Sequence, residues 1–112
     1  MAVQKAAEME DEPEVSPTRF VAFHSPGPGW KAGVAFFEQA GVDEHAAHYA
    51  GAMGDGKLEL GGPFLDESGG MMVFVRGLDR AAVDAIAQAD PAVRSGLLKV
   101  DVRPWMAALS RE

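Results

Sequence analysis

Met71-Met72-Val73-Phe74-Val75 is a run of five apolar residues set between Gly69-Gly70 and Arg76-Gly77. A short run of this kind, extended by Arg76, reads as a strand over Met71–Arg76 whose two faces must both be covered. Upstream, Lys57–Gly62 reads as its neighbour, joined to it by Pro63-Phe64-Leu65-Asp66-Glu67-Ser68-Gly69-Gly70, a connection long enough to act as a mobile flap. Further upstream, Arg19-Phe20-Val21-Ala22-Phe23-His24 alternates, with Phe20, Ala22 and His24 on one face and Val21 and Phe23 on the other. It ends at Ser25-Pro26-Gly27-Pro28-Gly29, where two prolines without amide donors and two glycines enforce a loop. Downstream, Leu97–Trp105 is the last strand, with Leu98, Val100 and Val102 opposite Lys99, Asp101 and Arg103.

Helices fill the gaps between these strands. After a short helical turn within Ala32–Gln39, a helix is expected from about Glu44 to Met53, capped by Asp43 and ended by Gly54 and Gly56. His45, His48/Tyr49 and Ala52/Met53 then share one stripe. A second helix spans about Arg80 to Ala89, with Asp79 as N-cap and Leu78 packing on Val83 as a hydrophobic staple. Asp90-Pro91 starts a short new turn through Ser95, closed by Gly96, because Asp caps well and Pro fits the first helical position. The order βαββαβ predicts an α+β fold, a ferredoxin-like antiparallel sheet with both helices on one face. The first and third strands are central in that topology and apolar on both sides, so the face without helices calls for a second copy of the sheet and a homodimer.

Composition narrows the function classes. The chain has 112 residues, enough for one domain that buries about 60–65% of its unfolded surface. It has no cysteine, so it offers neither a disulfide framework nor a thiolate metal site. No apolar run approaches the roughly 18–20 residues that cross a bilayer, and the amino terminus lacks a signal-peptide core, so the default expectation is a cytoplasmic protein without a membrane partner. Net charge is −7, of which residues 1–17 carry −4 through Glu8, Glu10, Asp11, Glu12 and Glu14 against Lys5. Residues 1–17, with Pro13 and Pro17 and no apolar face, read as a disordered acidic tail, and 18–112 as the folded domain. Without clustered Lys and Arg, nucleic acid is not expected as a partner.

Three landmarks recur in order. They are Asp43-Glu44-His45-Ala46-Ala47-His48-Tyr49, Gly56-Lys57-Leu58-Glu59-Leu60-Gly61-Gly62-Pro63-Phe64, and Ala89-Asp90-Pro91-Ala92-Val93-Arg94-Ser95-Gly96-Leu97. They resemble the signature of the YciI-related family: a helix-borne histidine, a Gly-Lys-Leu strand ending in Gly-Pro, and an Asp-Pro turn before the last strand. The resemblance covers about residues 18–107. His24-Ser25-Pro26-Gly27-Pro28-Gly29-Trp30 further resembles a sub-branch in which a histidine, a Pro-Gly loop and a tryptophan stand together. The resemblance implies a dimeric α+β barrel and an active-site role for His45 paired with an aspartate, matched here by Asp90.

The residues themselves support a compatible reading. At the second position of its helix, His45 sits where the positive end of the dipole favours the neutral ring that a general base needs. Asp90 is sufficiently explained as an N-cap, and in contact with His45 it would also fix the ring's tautomer. His24, at a strand end beside the Pro-Gly loop, could supply the second half of a proton relay where many members carry an acidic residue. Candidate ligand-binding residues are Trp30, His48, Gly62, Pro63 and Phe64, while Trp105 fits the core or a dimer seam better. His45 and His48, three apart with Asp43 nearby, have a spacing too common to assign a metal. The Pro-Gly loop matches no phosphate-binding pattern, so no cofactor is expected. Two functions follow: a small-molecule enzyme with a His/Asp acid–base site performing lyase, isomerase or dehalogenation-type chemistry, or a non-catalytic ligand-binding or regulatory dimer.

Overall fold

A computed structural model describes residues 18–111. The acidic tail expected over residues 1–17 lies outside the described residues. Four strands, β1 (Thr18–Pro26), β2 (Leu58–Pro63), β3 (Gly70–Phe74) and β4 (Leu98–Met106), form one antiparallel sheet in the order β2-β3-β1-β4. The helices are α1 (Val42–Gly54), α2 (Arg80–Ala89) and the short α3 (Pro91–Arg94), with a 3-10 turn at Phe36–Glu38 before α1. This is the ferredoxin-like α+β arrangement, with β1 and β3 central. No helix among the described residues is long and apolar enough to cross a membrane.

Register decides which side chains meet. Ala22 stands opposite Met72 and Val102, and His24 opposite Gly70 and Val100. Ala22, Met72, Phe74 and Val102 pack with Tyr49 and Ala52 of α1 and with Val83 and Ala87 of α2 in one buried cluster. Leu78 packs against the same cluster, as a staple next to Val83 should. A smaller cluster of Ala92, Leu97 and Leu98 holds Trp30.

Several boundaries differ from the sequence reading. Strand β1 continues through Pro26, pairing Ser25 with Lys99 and Pro26 with Leu98, because Gly27 and Gly29 donate to the carbonyls of Leu97 and Gly96 and anchor the loop to the last strand's start. Helix α1 begins at Val42 rather than Glu44, and Asp43 lies inside it instead of capping it. The N-cap position belongs to Gly41, whose φ of 102° no L-residue adopts comfortably. Val42, His45, Tyr49 and Ala52 form the helix's buried face, and His48 lies half-buried at the flank. Asp79 and Asp90 do cap, accepting from the amides of Ala82 and Ala92 at 2.9 Å each. The β2–β3 connection reduces to residues 64–69, closed by the Phe64 amide donating to Gly69.

Candidate active site

Each member of the central cluster arrives from a different element. His24 comes from the end of β1, His45 from the first turn of α1, and Asp90 from the join of α2 and α3. All three are buried, Asp90 completely. The His45 Nδ1 lies 2.6 Å from Asp90 Oδ2, a short charge-assisted hydrogen bond. The other carboxylate oxygen accepts from the Ala92 amide. His24 Nε2 stands 3.7 Å from Asp90 Oδ2 and 3.5 Å from the Tyr49 hydroxyl, while His24 Nδ1 has no hydrogen-bond partner among the described residues. The imidazole rings of His24 and His45 meet edge to face with centroids 4.9 Å apart.

Electrostatics assign roles. Burial alone would raise the Asp90 carboxyl, but the His45 hydrogen bond, the Ala92 amide and the two imidazoles outweigh it and hold the group below the usual carboxylate range. Asp90 is therefore an acceptor, and His45 donates to it through Nδ1. Burial, reinforced by His45, pushes His24 down to about 4 despite the attraction of Asp90, so the ring is neutral near pH 7.

A cavity of about 410 Å³ opens beside these groups, a size suited to one small ring compound. Its wall includes His24, His45 and Tyr49, with Phe36, Val42, Met53, Leu58 and Met72 as apolar panels and Gly62 and Pro63 at the end of β2. Trp30, His48 and Phe64, expected at the ligand, are not on that wall. Trp30 is held in the Leu97–Leu98 cluster and stacks on Phe36, so it supports the wall from behind. His48 is bound to the Ile86 carbonyl at 2.7 Å, and Phe64 lies in the exposed β2–β3 turn. Trp105 sits on the opposite face of the sheet, lining a groove with Arg19, Leu60 and Val73.

Two residues escaped the sequence reading. Tyr49 occupies the centre of the site, edge-on to His24, His45, His48 and Phe74. Its i+4 spacing from His45 was the available signal. Gln39 is buried and uses its amide to hold the Lys31 amide and the Lys31 and Val34 carbonyls, bracing the loop that carries Phe36. No local pattern marks such a role.

His24, His45 and Asp90 offer ligand atoms within 4.8 Å of one another, the donor types of a zinc site. The 2.6 Å His45–Asp90 spacing is nevertheless that of two atoms sharing a proton, since ligands about 2.0–2.1 Å from one tetrahedral ion stand farther apart. The metal pairing considered for His45 and His48 is not formed, because His48 turns to Ile86.

The architecture is that of a solved enzyme. The chain superposes with a TM-score of 0.53 on 5-chloro-2-hydroxyhydroquinone dehydrochlorinase from Burkholderia phenoliruptrix, solved in complex with 2,5-dihydroxybenzoquinone. Identity is 23%, and the match covers 77% of this chain and 91% of the dehydrochlorinase. That similarity establishes the fold. No protein-family model matches the chain, and no curated protein matches it.

Proposed function

We propose that this chain is a YciI-like enzyme acting on small, largely apolar molecules, with His45 as general base, Asp90 as its orienting carboxylate and His24 as a second proton-handling group. The observation that carries the reading is the 2.6 Å His45–Asp90 hydrogen bond beside an apolar cavity of about 410 Å³. A base oriented in this way contributes roughly 10²–10⁴ in rate. In an elimination, His45 Nε2 takes a proton from the carbon next to the one bearing the leaving group. The C–H electron pair becomes the new double bond, and the leaving group departs with its own pair. No redox cofactor enters that balance. The dehydrochlorinase of like fold supports this chemical class, and a hydroxylated, chlorinated ring compound is the first substrate to test.

The reading includes a homodimer. Leu60, Trp105 and Met106 are exposed on or beside the helix-free side of the sheet, and a second copy would cover them.

The experiment is turnover of a panel of chlorinated and hydroxylated ring compounds, followed by chloride release and ultraviolet absorbance, for the natural protein and His45→Ala. Turnover that falls at least 100-fold in the variant supports the mechanism. Full turnover in His45→Ala would exclude it. A ligand bound with measurable affinity and recovered unchanged would instead favour a non-catalytic binding or regulatory dimer.

A further inference from the structure

We infer that the Tyr49 hydroxyl is a second catalytic group, a hydrogen-bond donor to a ligand oxygen, and that the ligand is therefore a neutral carbonyl or enol compound. The inference rests on the acid–base reading of His45 and deepens it.

Proton placement leads to Tyr49. His24 Nε2 faces the Asp90 carboxylate at 3.7 Å and the Tyr49 oxygen at 3.5 Å, while His24 Nδ1 has no partner among the described residues. The neutral ring carries a single proton. On Nδ1 that proton would be a buried donor without an acceptor, which folded proteins rarely tolerate. On Nε2 it points at an anion. The second tautomer is favoured, and a protonated Nε2 has no lone pair to offer Tyr49. The phenolic proton is then left without an acceptor among the described residues. A buried tyrosine hydroxyl ordinarily finds one.

The cavity is where an acceptor can arrive, because Tyr49 forms part of its wall. Burial, with the charge of Asp90 adding, raises the hydroxyl above the ordinary tyrosine range, so it stays a donor at every working pH. The His45 and Tyr49 rings are neighbours on α1, with centroids 5.4 Å apart. A proton acceptor and a fixed hydrogen-bond donor thus flank one small volume. That pairing suits a carbon acid whose C–H lies next to a carbonyl. His45 Nε2 takes the proton, the C–H pair forms a carbon–carbon double bond, and the carbonyl π pair moves onto oxygen, where Tyr49 meets it.

The wall also restricts charge. Among the described residues no Lys or Arg lines the cavity, and Asp43 and Asp90 are close, so a phosphate or carboxylate brought in as an anion would meet no cation there. A neutral ligand that becomes anionic only as His45 becomes imidazolium keeps the site's net charge constant.

The test uses 4-nitrophenol, whose phenolate imitates the enolate oxygen and whose visible band reports ionisation. Absorbance titrations would compare the natural protein, Tyr49→Phe and His45→Ala, with circular dichroism as a check on folding. The natural protein should take up the probe as phenolate, its proton passing to His45. Tyr49→Phe, which keeps the ring, should weaken phenolate uptake about tenfold or more and shift the bound band. His45→Ala should bind the neutral phenol only. Equal affinity and an unchanged band in Tyr49→Phe would overturn the assignment of Tyr49 while leaving His45 as base. Phenolate uptake by His45→Ala equal to that of the natural protein, or no uptake by the natural protein, would overturn the acid–base reading together with this inference.

Discussion

The two faces of the sheet are built from the same strands and both bury residues at the centre, Ala22 and Phe74 on one side and Val21 and Val73 on the other, but they differ in what covers the rest. On the helix side, Ala22, Phe74, Val83 and Ala87 are wholly buried, and the polar residues that enter, His24, His45 and Asp90, are gathered around one another. On the other side, Leu60 is 56% exposed and Trp105 44%, in a groove that also holds Arg19 and Glu59, which pair with each other. Alternation along a strand creates both faces equally. What separates them is that the helices cover only one. The covered face can therefore shelter a buried carboxylate and two imidazoles, whereas on the open face the largely buried Arg19 guanidinium is met by a Glu59 carboxylate that stays exposed.

Emptying the covered face should have the largest effect. Phe74→Ala should cost about 3–5 kcal/mol in a denaturant unfolding measurement, because the side chain is fully buried between the sheet, α1 and α2. A loss below about 1 kcal/mol would show that this face is not the principal core. Asp90→Ala comes next, at about 3 kcal/mol, since it strands the His45 ring N–H and the Ala92 amide at once. Calorimetric melting would measure that loss, and a variant as stable as the natural protein would refute the buried pair.

Acid should act selectively on the covered face. The folded protein holds His24 near 4, against 6.5 for a free imidazole, so the unfolded chain binds the extra proton between those values. Stability contributed by keeping His24 neutral is complete above about pH 6.5 and declines as pH falls toward 4, by about 3 kcal/mol in all. Asp90, held below its ordinary range, adds a loss at still lower pH, as the folded carboxylate takes up its proton. His24→Leu should flatten the first of these declines in unfolding curves recorded across pH. An unchanged slope would remove His24 as its origin.

The smallest effect is expected on the open face. Trp105→Ala should change the unfolding free energy of the isolated chain by less than about 1 kcal/mol, yet weaken the proposed homodimer as measured by sedimentation. A large loss of monomer stability would erase the distinction between the faces.

Legibility in the sequence followed the same division between local and distant causes. Strand alternation in Phe20–His24 and Leu98–Val102, the caps at Asp79 and Asp90, and the staple of Leu78 depend on residues a few positions apart, and each could be read directly. The start of α1 was misread because Asp43 is a good cap by type, whereas Gly41 supplies the left-handed turn that actually opens the helix. Within the stripe, Tyr49 and Ala52 are the buried members while His48 binds Ile86, a choice that packing against α2 made. Gln39 was missed as a site-builder because its partners lie in a loop, and Tyr49 because its hydroxyl meets His24 of β1, although its spacing from His45 was visible.

Residue order and type alone were enough for the βαββαβ pattern, the doubly apolar β3 and the caps, because hydrogen bonding and side-chain alternation act over a few residues. Only closure of the chain could bring His24, His45 and Asp90 together from β1, α1 and the α2–α3 join. The hydrogen bond between His45 and Asp90 spans 45 positions, and its existence depends on how three packed elements meet rather than on any spacing along the chain. Burial then supplied what no residue type carries by itself, a neutral His24 beside an ionised Asp90.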